Sequence, residues 1–134
     1  MRETAVTLNH AIVWVKDVPQ ALRFYRDGLG FRVIEAMPGY ARLRSSRGGS
    51  TLALHATRDR RPPRRTRQVV LYFETPRLNE TCRRLMRRGV RFDQLPRRMP
   101  WGWDHAYLRD PDGHEISLYW AGRKRFLPSR MFDP

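Results

Sequence analysis

The sequence predicts an α+β fold built from two tandem βαβββ modules. The chain has 134 residues, which fits one domain of common size. Short apolar runs of strand length alternate with two segments whose apolar residues recur at helical spacing. The order of one strand, one helix and three strands occurs twice along the chain. We therefore expect a single domain over residues 1–120, followed by a tail over residues 121–134.

The first module is predicted over about residues 8–57. The run from Leu8 to Val15 is apolar on both faces, which predicts a buried strand. Asp17, with Gln20 three positions later and Pro19 between them, predicts a helix start, and Gly28 predicts its end. Pro-Gly and Gly-Gly turns then separate three further predicted strands: Phe31–Ala36, Tyr40–Arg44 and Thr51–His55.

The second module is predicted over about residues 68–120, after an arginine- and proline-rich surface linker over residues 58–67. A strand over Val69–Glu74 precedes a helix that Thr75 and Pro76 begin and Gly89 ends. The residues expected on the inward face of this helix are Leu78, Cys82, Leu85 and Met86. Three more strands are predicted: Val90–Leu95, Gly102–Arg109 and Glu115–Trp120.

The two modules can be aligned by two similar offsets, which indicates an internal duplication. An offset of 60 residues takes His10 to Val70, and one of 64 takes Leu52 to Ile116. A repeat of about 60 residues is longer than that of the common solenoids, so two copies forming one small domain is the better interpretation.

The composition is strongly basic, with 27 Lys and Arg against 13 Asp and Glu and a net charge of +14. Such a surface attracts anions, nucleic acid included. However, the arginines are spread through every element, which favours a solvated surface. No helix-turn-helix, zinc-finger or RNP-like motif is present, so we expect no specific nucleic-acid partner.

The sequence favours a cytoplasmic protein without a membrane partner. No apolar run reaches the ~18 residues of a membrane helix, and no secretory signal peptide is evident. Cys82 is the single cysteine and cannot form an intramolecular disulfide. Its place on the inward helix face predicts an inert thiol.

Two segments resemble a known family. They are the run from His10 to Phe31, and Pro100-Trp-Gly102 followed by Arg109 to Leu118. Both are similar to the vicinal oxygen chelate superfamily, which includes glyoxalase I, bleomycin-resistance proteins and extradiol dioxygenases. The resemblance implies that the modules form a curled, half-open mixed-sheet barrel. It also implies a homodimer that holds a small molecule in a cleft.

The resemblance places four metal-ligand positions at His10, Ala53, Val70 and Ser117. Ala and Val offer no ligand atom, and a serine hydroxyl is a poor ligand beside a carboxylate or an imidazole. We therefore expect no bound metal or other cofactor.

An alternative is a displaced metal site made of His10, His55 and Glu115. His55 lies two residues after Ala53, and Glu115 lies two residues before Ser117, so each is on the same strand face as the implied ligand position. Two histidines and one carboxylate would hold a divalent metal such as iron. The protein would then be a metal-dependent lyase, isomerase or extradiol-type dioxygenase, so the sequence leaves open whether the chain is an enzyme.

We expect aromatic residues and histidines to line the ligand cleft: His10, Trp14, His55, Tyr72, Trp103 and Tyr119. Such a wall suits a planar ligand that is anionic or rich in oxygen. Arg42, Arg44 and Arg109 are candidate partners for its acidic group, although the sequence does not decide which way they face. Bleomycin, a cationic drug, is not expected as the ligand, since this chain is basic.

Two further histidines receive structural interpretations. His105 alternates with Trp103 and Tyr107, and either lines the cleft or lies on the surface. His114 follows Asp-Pro-Asp-Gly and is predicted at a turn.

Overall fold

A computed structural model describes residues 8–58 and 69–127 of the chain. The chain divides into two compact units, Met1–Arg61 and Pro62–Pro134. Most of the predicted linker, residues 59–67, and the end of the tail, residues 128–134, lie outside the described residues. The domain and tail boundaries therefore stay predictions.

The first unit is one mixed sheet with one helical segment. Strand β1 is followed by helix α1, which continues as a π-helix, and then by three strands. The bounds are β1 His10–Val15, α1 Val18–Leu22, π-helix Arg23–Gly28, β2 Arg32–Met37, β3 Tyr40–Arg44 and β4 Thr51–Ala56. The strand order is β1-β4-β3-β2, in which β1 and β4 are parallel and the other pairs are antiparallel.

The predicted start of α1 is confirmed. The Asp17 side chain accepts a hydrogen bond from the Gln20 backbone N–H at 3.1 Å, and Pro19 stands in the first turn. The helical segment ends at Gly28, as predicted. Its buried residues, Val18 and Ala21 among them, and the buried Val13 and Val15 of β1 form the core of this unit.

The second unit repeats this architecture. Its bounds are β5 Val70–Glu74, α2 Leu78–Arg87, β6 Phe92–Arg98, β7 Asp104–Arg109, β8 Glu115–Trp120 and a 3₁₀ turn over Gly122–Phe126. The strand order is β5-β8-β7-β6, with β5 parallel to β8. Because both units share one topology and neither sheet closes on itself, the predicted α+β class and the duplicated, open βαβββ module are confirmed.

Helix α2 differs from the prediction at its start and on one face. Thr75 does not begin the helix, since its Oγ1 accepts a hydrogen bond from the Arg77 N–H at 3.1 Å in a turn that precedes Leu78. The prediction that Met86 points inward is also wrong, because its side chain is 41% exposed. Leu78, Cys82 and Leu85 already fill the inward stripe.

Two strands also differ from their predictions. Strand β1 is buried on one face only, because Ile12 is 52% exposed and Trp14 is 57% exposed. Strand β6 runs through Pro96 to Arg98, beyond the predicted end at Leu95. It tolerates proline because it is the edge strand of its sheet, where an N–H is not required for pairing. Among the residues described, no helix is long and apolar enough to cross a membrane.

Candidate functional site

The first unit presents one sheet face that is not filled by α1, here called the first-unit face. Strand pairing places on it His10, Ile12, Trp14, Tyr40, Arg42, Arg44, Thr51, Ala53 and His55. Paired residues of neighbouring strands share a face, so the register settles where these side chains point. Arg42 lies beside Ala53 and Arg44 lies beside Thr51, so both candidate arginines face the predicted ligand side.

His10 contacts Thr51 through one ring nitrogen. Its Nδ1 lies 2.6 Å from Thr51 Oγ1. The tautomer of His10 decides which of the two groups donates the proton in this contact. His10 itself is exposed on the first-unit face.

His55 lies between two aromatic rings. The Trp14 ring centroid is 5.1 Å from that of His55, and the Tyr40 centroid is 4.8 Å from it. The predicted pair of Trp14 and His55 is therefore brought together, with Tyr40 as a neighbour that sequence reasoning missed. His10 is not part of this group, because it pairs with Thr51, four residues and about 13 Å along the strand from His55.

Arg42 places a cation at the centre of the first-unit face. Its Nη2 donates to Glu35 Oε2 at 3.2 Å. Its Nε is buried and has no hydrogen-bond partner within the described part of the chain. A buried donor without an acceptor is costly, so a ligand oxygen at this point would satisfy a group that the described residues leave unpaired.

The equivalent surface of the second unit, here called the second-unit face, is richer in rings. Strand pairing places on it Val70, Tyr72, Glu74, His105, Tyr107, Arg109, Glu115, Ser117 and Tyr119. Trp103 joins this face just before β7, since its ring stacks on Tyr119 at 5.6 Å between centroids. Tyr72 meets Tyr119 edge to face at 5.2 Å. Tyr72, Trp103 and Tyr119, three of the six predicted cleft residues, therefore form one cluster.

His105 is the centre of that cluster, and its alternative placement on the surface is wrong. The residue is fully buried, and five rings lie within 6.0 Å of its ring centroid: Tyr72, Trp101, Trp103, Tyr107 and Tyr119. The sequence signal for a place on this face was that His105 alternates with Trp103 and Tyr107.

The hydrogen bonds of His105 fix its tautomer. The Trp101 indole N–H, which can only donate, points to His105 Nε2 at 3.2 Å. His105 Nε2 must then accept, so the ring is neutral with its proton on Nδ1, 2.6 Å from Ser117 Oγ. Burial lowers the pKa of His105, while nearby Asp104 opposes that shift. The ring is therefore an uncharged hydrogen-bond relay at neutral pH.

Two tyrosines of the second-unit face, Tyr107 and Tyr119, are also neutral. Burial, followed by the neighbouring Tyr72, raises the pKa of Tyr107 to about 12. Burial and the nearby Glu74 also raise the pKa of Tyr119. Their hydroxyl groups remain protonated at physiological pH and can donate to an oxygen of a ligand.

Arg109 and Glu115 lie side by side at one end of the second-unit face. Arg109 Nε donates to Asp93 Oδ2 at 3.0 Å, and Nη1 donates to the Gly113 carbonyl at 3.2 Å. These bonds hold the guanidinium in place and use part of its donor capacity. Glu115 Oε2 is buried without a hydrogen-bond partner among the described residues.

The residues at the implied metal positions do not fit a metal. Ala53 and Val70 carry no ligand atom, and the Ser117 oxygen is bonded to His105. Nowhere in residues 8–58 and 69–127 do three His, Cys, Asp or Glu side chains gather so that they could hold a metal ion. His10 and His55 of the displaced set lie about 13 Å apart along the first-unit sheet, so these two histidines cannot share one metal ion.

Two open mixed sheets of one topology, each with a face of polar and aromatic side chains, define a duplicated α+β protein. The chain belongs to the Glyoxalase/Bleomycin resistance protein/Dioxygenase superfamily, whose sequence profile matches residues 7–118. The predicted resemblance is thereby confirmed.

Solved structures of the same fold agree with this assignment. A superfamily member from Sphaerobacter thermophilus has 26% identity and a TM-score of 0.70, over 87% of this chain and 98% of that one. A lactoylglutathione lyase from Agrobacterium tumefaciens has 20% identity and a TM-score of 0.71, over 89% and 96%. A superfamily protein from Nocardioides has 23% identity and a TM-score of 0.69, over 89% and 85%. No curated protein matches the chain.

Proposed function

We propose that this protein binds a small planar ligand that is anionic or rich in oxygen, without a resident metal. The observation that supports this most is the second-unit face, where a neutral, buried His105 organises five aromatic rings. Rings with polar tips offer a planar ligand large apolar area and a few fixed hydrogen bonds. The fixed rings also limit the conformational cost of binding.

The first-unit face, taken by itself, offers a preference for acidic groups. Arg42 and Arg44 lie there, and Arg42 keeps a buried Nε–H without an acceptor in the described residues. A guanidinium binds a carboxylate through parallel N–H···O bonds that are about twice as strong as neutral ones. An acidic group is therefore the natural partner for Arg42.

A thermal-shift comparison of planar arenecarboxylic acids with their primary amides tests the proposal at physiological salt. We expect the acids to raise the melting temperature more than the amides, and Arg42→Gln to abolish that difference. Arg47→Gln, in the exposed turn before β4, is the matched control and should keep it. If acids and amides raised the melting temperature equally, the charge of the ligand would have no role in its recognition. If neither raised the melting temperature, the proposed class of planar, oxygen-rich ligands would be wrong.

We also propose a homodimer, as the family resemblance implies, and a cytoplasmic location, which the single cysteine favours. Light scattering at micromolar concentration should then give about twice the chain mass of 16.0 kDa. A monomeric mass at that concentration would rule out a ligand cleft that is shared between two subunits.

The second candidate is a metal-dependent lyase, isomerase or dioxygenase. It rests on His10, an exposed imidazole at a ligand position of the family. A metal held through His10 would polarise two oxygens of a substrate. Metal analysis after dialysis separates the candidates: we expect well under one equivalent per chain. A stoichiometric metal that His10→Ala loses would establish the enzyme instead.

A further inference from the structure

The second unit has a cavity of about 530 Å³ on the other side of its sheet. The beginning of α2 forms one wall, and the end of β6 and the start of β7 form another. Asp104 and Trp120, which contribute to it, alternate along their strands with His105 and Tyr119. Side chains alternate between faces in a strand, so this cavity does not belong to the second-unit face. Its volume lies in the range of about 300–1,000 Å³ of small-molecule sites.

Four arginines and two carboxylates line this cavity, and the charge count includes the three arginines Arg77, Arg83 and Arg98. On the α2 wall, Arg77 Nη1 donates to Glu80 Oε2 at 3.2 Å. On the sheet wall, the Arg98 guanidinium is hydrogen-bonded to Asp104. Arg83 also lines the cavity and has no ion pair within the described residues. The five groups together carry one excess positive charge.

The two ion pairs position arginines without saturating them. A guanidinium has five N–H donors, so Arg77 and Arg98 keep donors for a ligand after bonding a carboxylate. Arg97 contacts the same cavity, but it pairs with His105 and so belongs to the opposite face by register. We therefore leave Arg97 out of the charge count.

An aromatic surface stands beside these cations. Trp120 lines the cavity and is 41% exposed. Its ring lies against Gly122, where an added Cβ would come within 3.0 Å of Trp120 Cζ2. Gly122, which also has a positive φ of 59°, lets the ring rest on the backbone at this point. The exposed part of the indole is thus held in one place beside the arginines.

We propose that this cavity is a second ligand site, for a planar ring that carries a phosphate group, such as a nucleoside monophosphate. A phosphate offers three terminal oxygens, which match three guanidinium groups better than the two oxygens of a carboxylate. The ring stacks on Trp120, since nucleic-acid bases stack favourably on aromatic side chains. This site is independent of the ligand proposed for the other sheet face.

Calorimetric titration with adenosine 5′-monophosphate, adenosine and inorganic phosphate tests the proposal at about 150 mM salt, where long-range attraction is screened. We expect the monophosphate to bind at least ~10-fold more tightly than either fragment. Arg83→Gln should weaken it by about 10- to 100-fold, and Trp120→Leu should reduce its advantage over inorganic phosphate.

Arg87→Gln is the matched control, because Arg87 is an exposed residue of the same helix and does not line the cavity. Equal losses in Arg83→Gln and Arg87→Gln would mean that general surface charge binds the probe, and would overturn the site. The proposed site would also be overturned if the monophosphate failed to bind at millimolar concentration. The same conclusion would follow if a short oligothymidylate bound and the monophosphate did not. Arg83 is a surface residue, so its variant keeps the test valid should Trp120→Leu not fold.

Discussion

Removal of the Ser117 hydroxyl tests whether His105 is held as a neutral hydrogen-bond relay. Ser117 Oγ is the acceptor for the His105 Nδ1 proton at 2.6 Å, and both residues are completely buried. In Ser117→Ala the imidazole N–H keeps its burial but loses its acceptor. Leaving a buried donor unsatisfied costs about 1–3 kcal/mol. For a chain of this size, that cost lowers the melting temperature by roughly 3–12 °C.

Urea unfolding at pH 8, where His105 is uncharged, measures the free energy of unfolding directly. Ser46→Ala, in the exposed turn between β3 and β4, is the matched control and should change it by less than about 0.5 kcal/mol. The double variant with His105→Phe should recover part of the loss, because it removes the donor as well as its acceptor. Equal stability of Ser117→Ala and Ser46→Ala would refute the relay.

Three other predictions follow from individual contacts. The hydrogen bond to Asp110 raises the pKa of His114, so its stabilising effect is complete below pH ~6.5 and is lost as pH rises through the folded-state pKa. Melting curves of His114→Gln should therefore lie below wild type in acid and approach it in base, and a constant gap would contradict this. Burial raises the pKa of Cys82 to about 11, so a thiol reagent at pH 8 should label native protein at least ~100-fold more slowly than unfolded protein; equal rates would show an accessible thiol. Leu85→Ala should lower the free energy of unfolding by about 2–5 kcal/mol, whereas the half-exposed Met86→Ala should lower it much less, and equal losses would reverse the assigned helix face.

The local elements of this fold were predictable because each has its own sequence signal. The bounds of β3 and β8 match their predictions, since turn residues enclose each apolar run. Boundaries failed where a distant contact decides them. Pro96 predicts a strand end, but β6 continues through it as an edge strand. Met86 has helical spacing typical of a core residue, yet three other side chains already fill that core stripe.

The candidate site was predictable in its residue types and only partly in its geometry. The internal repeat and the family resemblance placed Tyr72 and Tyr119 on the cleft face, and the structure brings their rings together. Sequence alternation cannot relate residues on different strands, because that depends on register. Register separates His10 from His55 and turns Arg42 towards Ala53.

The sequence by itself determined the duplicated module, the family and the loss of ligand atoms at Ala53 and Val70, because these follow from residue identity and spacing alone. Only the tertiary structure decided that His105 is buried and neutral and that Ser117 is its partner. Burial and protonation depend on which rings pack around a side chain. In this chain those rings come from β5, β7, β8 and the segment before β7, which only the folded sheet brings together.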